Sequence, residues 1–179
     1  FLTSYVIEEK APAVREYGAS STMCKLGNDI YQKLKEHFPN DADIIFCLAI
    51  LRVIEKCPFK RAAFLYDRSF LSEMFPNLPL SSASISNFLH EFGVKREQQV
   101  GFMKNYLSDS QYILFDGTNI ISNSKEMDIN RLGYNSHRQF DPQVNLMYAF
   151  SADKQKPGYY RVLPGNIRDV TSFAFSVKE

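Results

Sequence analysis

The sequence predicts an α+β protein, with a helical region over residues 1–108 followed by a strand-bearing region over 109–179. Three observations carry this division. Apolar residues recur at helical spacing as far as about residue 108, and beyond it the period falls to two. Pro39, Pro58, Pro76 and Pro79 stand between the helical stretches. Proline lacks an amide hydrogen and clashes with the preceding turn, so it marks where helices begin or stop.

In chain order, Ile44, Phe46, Leu48, Ile50, Leu51 and Ile54 nearly saturate one segment with apolar side chains, which predicts a buried helix. The stretch FKRAAFLYDRSFLSEMF keeps the helical rhythm through Phe59, Ala62, Ala63, Tyr66, Phe70 and Met74. In NLPLSSASISNFLHEFG, Ser81 or Ser82 is the expected N-cap, Ile85, Phe88, Leu89 and Phe92 fall on one face, and Gly93 is the expected stop. The small polar start of this helix resembles the second helix of a helix-turn-helix, which would offer Ser84, Ser86 and Asn87 to DNA. A packing helix is the plainer alternative, because short capped helices are common. A further helix runs through Val100, Met103 and Leu107.

Three strands are then expected. QYILFD is the first. QVNLMYAFS alternates Val144, Leu146, Tyr148 and Phe150 against Asn145, Met147, Ala149 and Ser151, and GYYRVL follows across the turn signal ADKQKPG, so the last two read as a hairpin. DVTSFAFSVKE returns to helical spacing.

Composition narrows the class. At 179 residues and 45% hydrophobic content the chain has enough apolar side chains for a buried core. The longest apolar run, IIFCLAILRVI, contains Arg52 and falls short of the roughly 18 to 20 residues that span a bilayer, so no membrane partner is expected. The first residue is Phe and no secretory leader is evident, which fits a fragment of a cytoplasmic protein. Cys24, Cys47 and Cys57 form no C-x-x-C pair, as expected of reduced thiols and not of a zinc site. The net charge of +1 neither favours nor excludes nucleic acid, because local patches make that footprint.

The segment QYILFDGTNIIS poses the sharpest question. Asp-Gly between apolar runs is a hairpin signal, and locally the turn is slightly the better reading. In the alternative, one long strand places Tyr112, Leu114 and Asp116 on one face, and the carboxylate emerges from an apolar surface where a divalent metal would compensate it.

Three further segments accompany it: SISNFLHEFG, GYNSHRQFDPQVNL and PGYYRVLPGNIRD. In this order and spacing they resemble bacterial insertion-sequence transposases of the DDE type, whose catalytic domain is ribonuclease H-like. The resemblance runs from about residue 60 to the end and is strongest from Asp116 to Asp169. It implies a helical region followed by the first three strands and first helix of an incomplete ribonuclease H-like domain. It makes Asp116, in Asp-Gly-Thr, the first catalytic carboxylate and a ligand of Mg2+ or Mn2+, and so outweighs the local turn signal. The second Asp and the Glu are expected beyond this chain, and Asp169 matches a recurrent position before a helix and not the second carboxylate. Two-metal phosphoryl transfer needs several carboxylates around paired ions, so the metal is expected only with the complete site and the chain alone is expected to be inactive.

DNA is the implied partner, as transposon ends and as target, with a homodimer allowed in the synaptic complex. The rival reading is a non-enzymatic DNA-binding or assembly module. His137 and Arg138 are candidates for phosphate contact, against the plainer reading of solvated loop residues. Asp141 before Pro142 is expected to organise a turn, and Gly165 and Asn166 a tight turn into the last helix.

Overall fold

The computed structural model describes residues 14–56, 58–167 and 169–178, and the chain divides into two compact units, Phe1–Arg96 and Glu97–Glu179. As the sequence predicts, it is α+β. Among the described residues there are eight helices and one four-stranded antiparallel sheet. No helix among them is long and apolar enough to cross a membrane.

The first unit holds α1 (Gly18–Leu26), α2 (Asn28–His37), α3 (Ala42–Glu55), α4 (Ala62–Asp67), α5 (Leu71–Met74) and α6 (Ser82–Gly93). α3 is the central element, and Ile44, Phe46, Cys47, Leu48, Ile50 and Leu51 are all buried on it. Burial pushes the Cys47 thiol up to about 12, so it behaves as a small apolar core residue and not as a nucleophile. Cys24 is likewise buried and free, and Cys57 lies outside the described residues.

The stretch from Phe59 to Met74 does not form one helix. It breaks into a 3-10 turn at Phe59–Arg61, α4 and α5. Between α4 and α5, Ser69 forms a parallel bridge with Glu16, and the Tyr66 hydroxyl donates to the Phe75 carbonyl. These bonds occupy backbone groups that a continuous helix would otherwise pair. The α6 boundaries match expectation. Ser81 is extended at the N-cap and its hydroxyl accepts from the Ser84 amide at 3.1 Å.

The second unit contains β1 (Ile113–Ile121), β2 (Arg131–Tyr134), β3 (Phe140–Ser151), β4 (Lys156–Pro164) and α8 (Asp169–Lys178), and α7 (Arg96–Lys104) packs with it. β3 is the middle strand: β1 lies along one edge, and β4 followed by β2 along the other. The expected β3–β4 hairpin is present, with an irregularity between Ala149 and Phe150. Val100 of α7, Ala149 and Tyr159 form a buried cluster against Leu107 and Phe115, and the Tyr160 hydroxyl donates to Gln99 Oε1 at 2.6 Å. α8 packs on β3 and β4, with Phe173 edge-on to Phe115 at 5.0 Å.

Three details differ from the sequence reading. β2 was not expected, because Arg-Leu-Gly-Tyr is too short to display a period, and it forms by pairing with an extended β3. β3 begins at Phe140, so Asp141 lies within a strand opposite Gly133 and not in a turn, and its carboxylate accepts from Asn135 Nδ2 at 2.6 Å. The buried side of β3 is also the more polar one: Gln143, Asn145, Met147, Ala149 and Ser151 are all buried, whereas Leu146, Tyr148 and Phe150 of the other series are only half-buried.

Candidate functional site

Asp116 stands fourth in a nine-residue strand that runs unbroken from Ile113 to Ile121, opposite Tyr148 of β3. There is no Asp-Gly hairpin. β1 is continuous as expected, but among the described residues it is an edge of the sheet and not its centre, since it pairs only with β3.

Alternation along the strands puts Leu114, Asp116, Thr118 and Ile120 on one face, beside Leu146, Tyr148 and Phe150 of β3. That face is open: Leu114 is 59% exposed and Asp116 itself is exposed. Asp116 Oδ1 accepts from the Gly117 amide and Oδ2 from the Tyr148 hydroxyl, each at 2.9 Å. The hydrogen bond to Asp116 holds the Tyr148 phenol above its usual range, because ionising it would set two anions side by side. Tyr148 therefore donates at neutral pH and fixes the rotamer of the carboxylate, whose remaining lone pairs face solvent.

A carboxylate oxygen is the hard donor that magnesium takes. The described residues nevertheless do not make a metal site. Among them no group of three or more His, Cys, Asp or Glu is close enough to hold an ion. One carboxylate leaves magnesium almost fully hydrated. Asp169 is the first residue of α8, and its side chain lies outside the described residues.

The other expected contacts are not gathered around Asp116. His137 and Arg138 are exposed in the β2–β3 loop, where Asn135 Oδ1 accepts from the amides of His137 at 2.9 Å and Gln139 at 3.2 Å. From Tyr148 back to Phe140 the strand covers roughly 25 Å at its usual rise, so this loop is remote from Asp116. In the first unit, Ser84 is half-buried and its hydroxyl pairs with that of Ser81 at 2.7 Å. Ser86 is exposed, and Asn87 lines a cleft with Asp41, which pairs with Lys95, and with Asp43 and Glu91, whose negative charge opposes phosphate.

Sequence reading missed a row of carboxamides on the sheet face opposite Asp116. Asn119 Nδ2 donates to Asn145 Oδ1 at 2.8 Å, Asn145 Nδ2 to the Ile167 carbonyl at 2.7 Å, and Gln143 Nε2 to the Gly165 carbonyl at 3.1 Å. These bonds hold the 165–167 turn against the sheet. The available signal was the alternation of Gln143 and Asn145 with Met147 and Ala149, small or unbranched side chains that leave room for a covering segment. A cavity of about 620 Å3 lies beside this row, lined in part by Asn119, Asn145, Asn166, Tyr134 and Phe140.

Where β3 turns into β4, Asp153 accepts from the Ser110 hydroxyl at 2.6 Å, the Ser151 hydroxyl at 3.1 Å and the Gln111 amide at 3.3 Å. The Ser110 bond, with these others, holds the carboxyl down at about 2, below its usual range. The folded-state value is depressed, so its stabilising contribution is present above the unfolded value of about 3.9 and disappears as pH falls through about 2. An NMR titration of the Asp153 side chain is expected to show its midpoint near 2. An ordinary aspartate midpoint would show that the Ser110 and Ser151 bonds do not persist in solution.

Comparison with protein-family models, with curated proteins and with solved structures finds no match to this chain.

Proposed function

We propose that this chain carries the helical region and the opening part of the catalytic domain of a DDE transposase, a cytoplasmic enzyme that cleaves transposon ends and joins them to target DNA by metal-dependent phosphoryl transfer. The observation that supports this best is the position of Asp116. It is an exposed carboxylate in mid-strand, on the open face of an antiparallel sheet in which β1 pairs with β3 and β3 with β4, followed by a helix. A ribonuclease H-like domain opens in this way, and its first carboxylate occupies the corresponding strand.

On this reading Asp116 supplies one oxygen ligand, Tyr148 orients it, and the two further carboxylates come from beyond these residues. Magnesium, held by the complete set, supplies charge neutralisation around the attacking and leaving oxygens. DNA is the partner, and a homodimer would bring two ends together.

The test is cleavage of a labelled transposon end by the full-length protein with magnesium, run in parallel on the parent and on Asp116→Ala. Activity of the variant within a few-fold of the parent overturns the assignment. A parent that binds the ends and leaves them intact is instead a non-enzymatic DNA-binding module. The 179 residues alone are expected to bind manganese only weakly, read from paramagnetic line broadening, because they offer one carboxylate to an ion that needs several. Saturable binding at micromolar metal would mean that further ligands lie within this chain.

A further inference from the structure

We infer that the open edge of β1 pairs with the β1 edge of a second copy of this chain, antiparallel about Gly117, so that two sheets join into one. The Tyr112 carbonyl accepts from the Ala152 amide and the Ser122 amide donates to the Pro142 carbonyl, so the even-numbered residues of β1 are those bonded to β3. The amides and carbonyls of Ile113, Phe115, Gly117, Asn119 and Ile121 therefore point to the open edge. Among the described residues, the one hydrogen bond these groups make is local: the Gly117 amide donates to Asp116 Oδ1.

Such a row of unpaired groups is a template for another strand, and proteins blunt it with proline, lysine or bulges. The edge on the other side is blunted in this way. β4 carries Lys156, Pro157, Arg161 and Pro164, and its pairing with β3 is irregular at Ala149 and Phe150. β1 has none of these devices over nine residues, and its one charge is Asp116.

The sequence of β1 selects a second copy as the occupant. Read outward from Gly117 it is nearly symmetric, with Ile113 mirroring Ile121 and Leu114 mirroring Ile120. A two-fold pairing centred there joins 113 to 121, 115 to 119 and 117 to 117, and each pair exchanges both N–H···O bonds from outward groups alone. On the Asp116 face it sets Leu114 against Ile120 of the second copy, 59% and 47% exposed in the single chain. On the other face it sets Ile113 against Ile121, 42% and 51% exposed. Phe115 and Asn119 already have partners within the chain, Phe173 and Asn145. Asp116 falls opposite Thr118 of the second copy and not opposite the other carboxylate. The contact is isologous and uses up both β1 edges, so on this side assembly stops at two copies.

The inference rests on β1 alone and not on the transposase reading, since DNA, magnesium and cleavage play no part in it. Sedimentation of the 179-residue chain over a concentration series is expected to show reversible passage from monomer to dimer. Residue-resolved amide exchange locates the contact: the amides of Leu114, Thr118 and Ile120 are protected throughout, whereas those of Ile113, Phe115, Asn119 and Ile121 become protected only as the dimer fills. Thr118→Asp places carboxylates directly opposite one another and is expected to weaken the dimer roughly tenfold, while Thr118→Lys places opposite charges there and is expected to strengthen it by a similar factor. Ile121→Pro removes an outward amide without touching the ladder to β3 and is expected to abolish the dimer. Both positions are exposed, so circular dichroism of all three variants should match the parent. A chain that stays monomeric at high concentration, outward amides whose protection does not depend on concentration, or a dimer that the folded Thr118→Asp and Ile121→Pro variants leave at the parent's strength overturns the inference.

Discussion

If the chain opens a DDE transposase, as proposed, Asp116→Ala in the full-length protein is expected to lower magnesium-dependent cleavage by on the order of a thousandfold, while folding and binding of transposon ends stay close to the parent. The size follows from what is removed. A metal that neutralises developing charge contributes several kcal/mol to the transition state, and each 1.4 kcal/mol or so is about a factor of ten in rate. The selectivity follows from where the residue sits. Asp116 is exposed, and its hydrogen bonds are to its own neighbour's amide and to a tyrosine hydroxyl that would turn to water. A variant that lost cleavage together with its fold would assign Asp116 a structural part instead. Circular dichroism and end-binding titration, run beside the cleavage assay, separate the two.

Gly133→Ala is expected to destabilise the second unit by about 3 kcal/mol or more, enough to shift its denaturant midpoint markedly. A Cβ at Gly133 would overlap the carbonyl of Gly165, and a Cβ at Gly165 would overlap the carbonyls of Gln143 and Arg131. Both partners are backbone, so no rotamer change relieves the contact. The turn that Gln143 and Asn145 hold down would have to lift, leaving carboxamides unpaired at a further cost. Gly158→Ala is the useful comparison. Its Cβ would meet only the Leu107 side chain, which can move, so a smaller loss is expected. Equal stability of Gly133→Ala and the parent would mean that the two glycines are not in contact in solution.

These two sites also show how far the sequence reaches. Local chemistry was sufficient for the α6 cap at Ser81, where a hydroxyl three residues from an amide needs no tertiary help, and for the largely buried α3, whose apolar residues crowd most of its length. It was sufficient for the β3–β4 hairpin, because period-two alternation flanks a turn signal. At Asp116 the same local rules pointed slightly the wrong way. Asp-Gly favours a turn by its own dihedral preferences, and only the continuous run of cross-strand bonds to β3 overrides them. β2 has too few residues to display a period and exists because β3 offers it an edge.

The buried face of β3 was the least legible feature. Burial is set by what lands on a strand, and Gln143 and Asn145 are inside because the 165–167 turn lies against them and accepts their hydrogen bonds. Sequence alone determined that this protein has a helical half, a hairpin and a carboxylate among apolar strand residues. Tertiary structure alone decided which face that carboxylate shares, that Gly133 must meet Gly165, and that a neutral cavity opens behind them, because each depends on backbone segments distant in sequence arriving at one place.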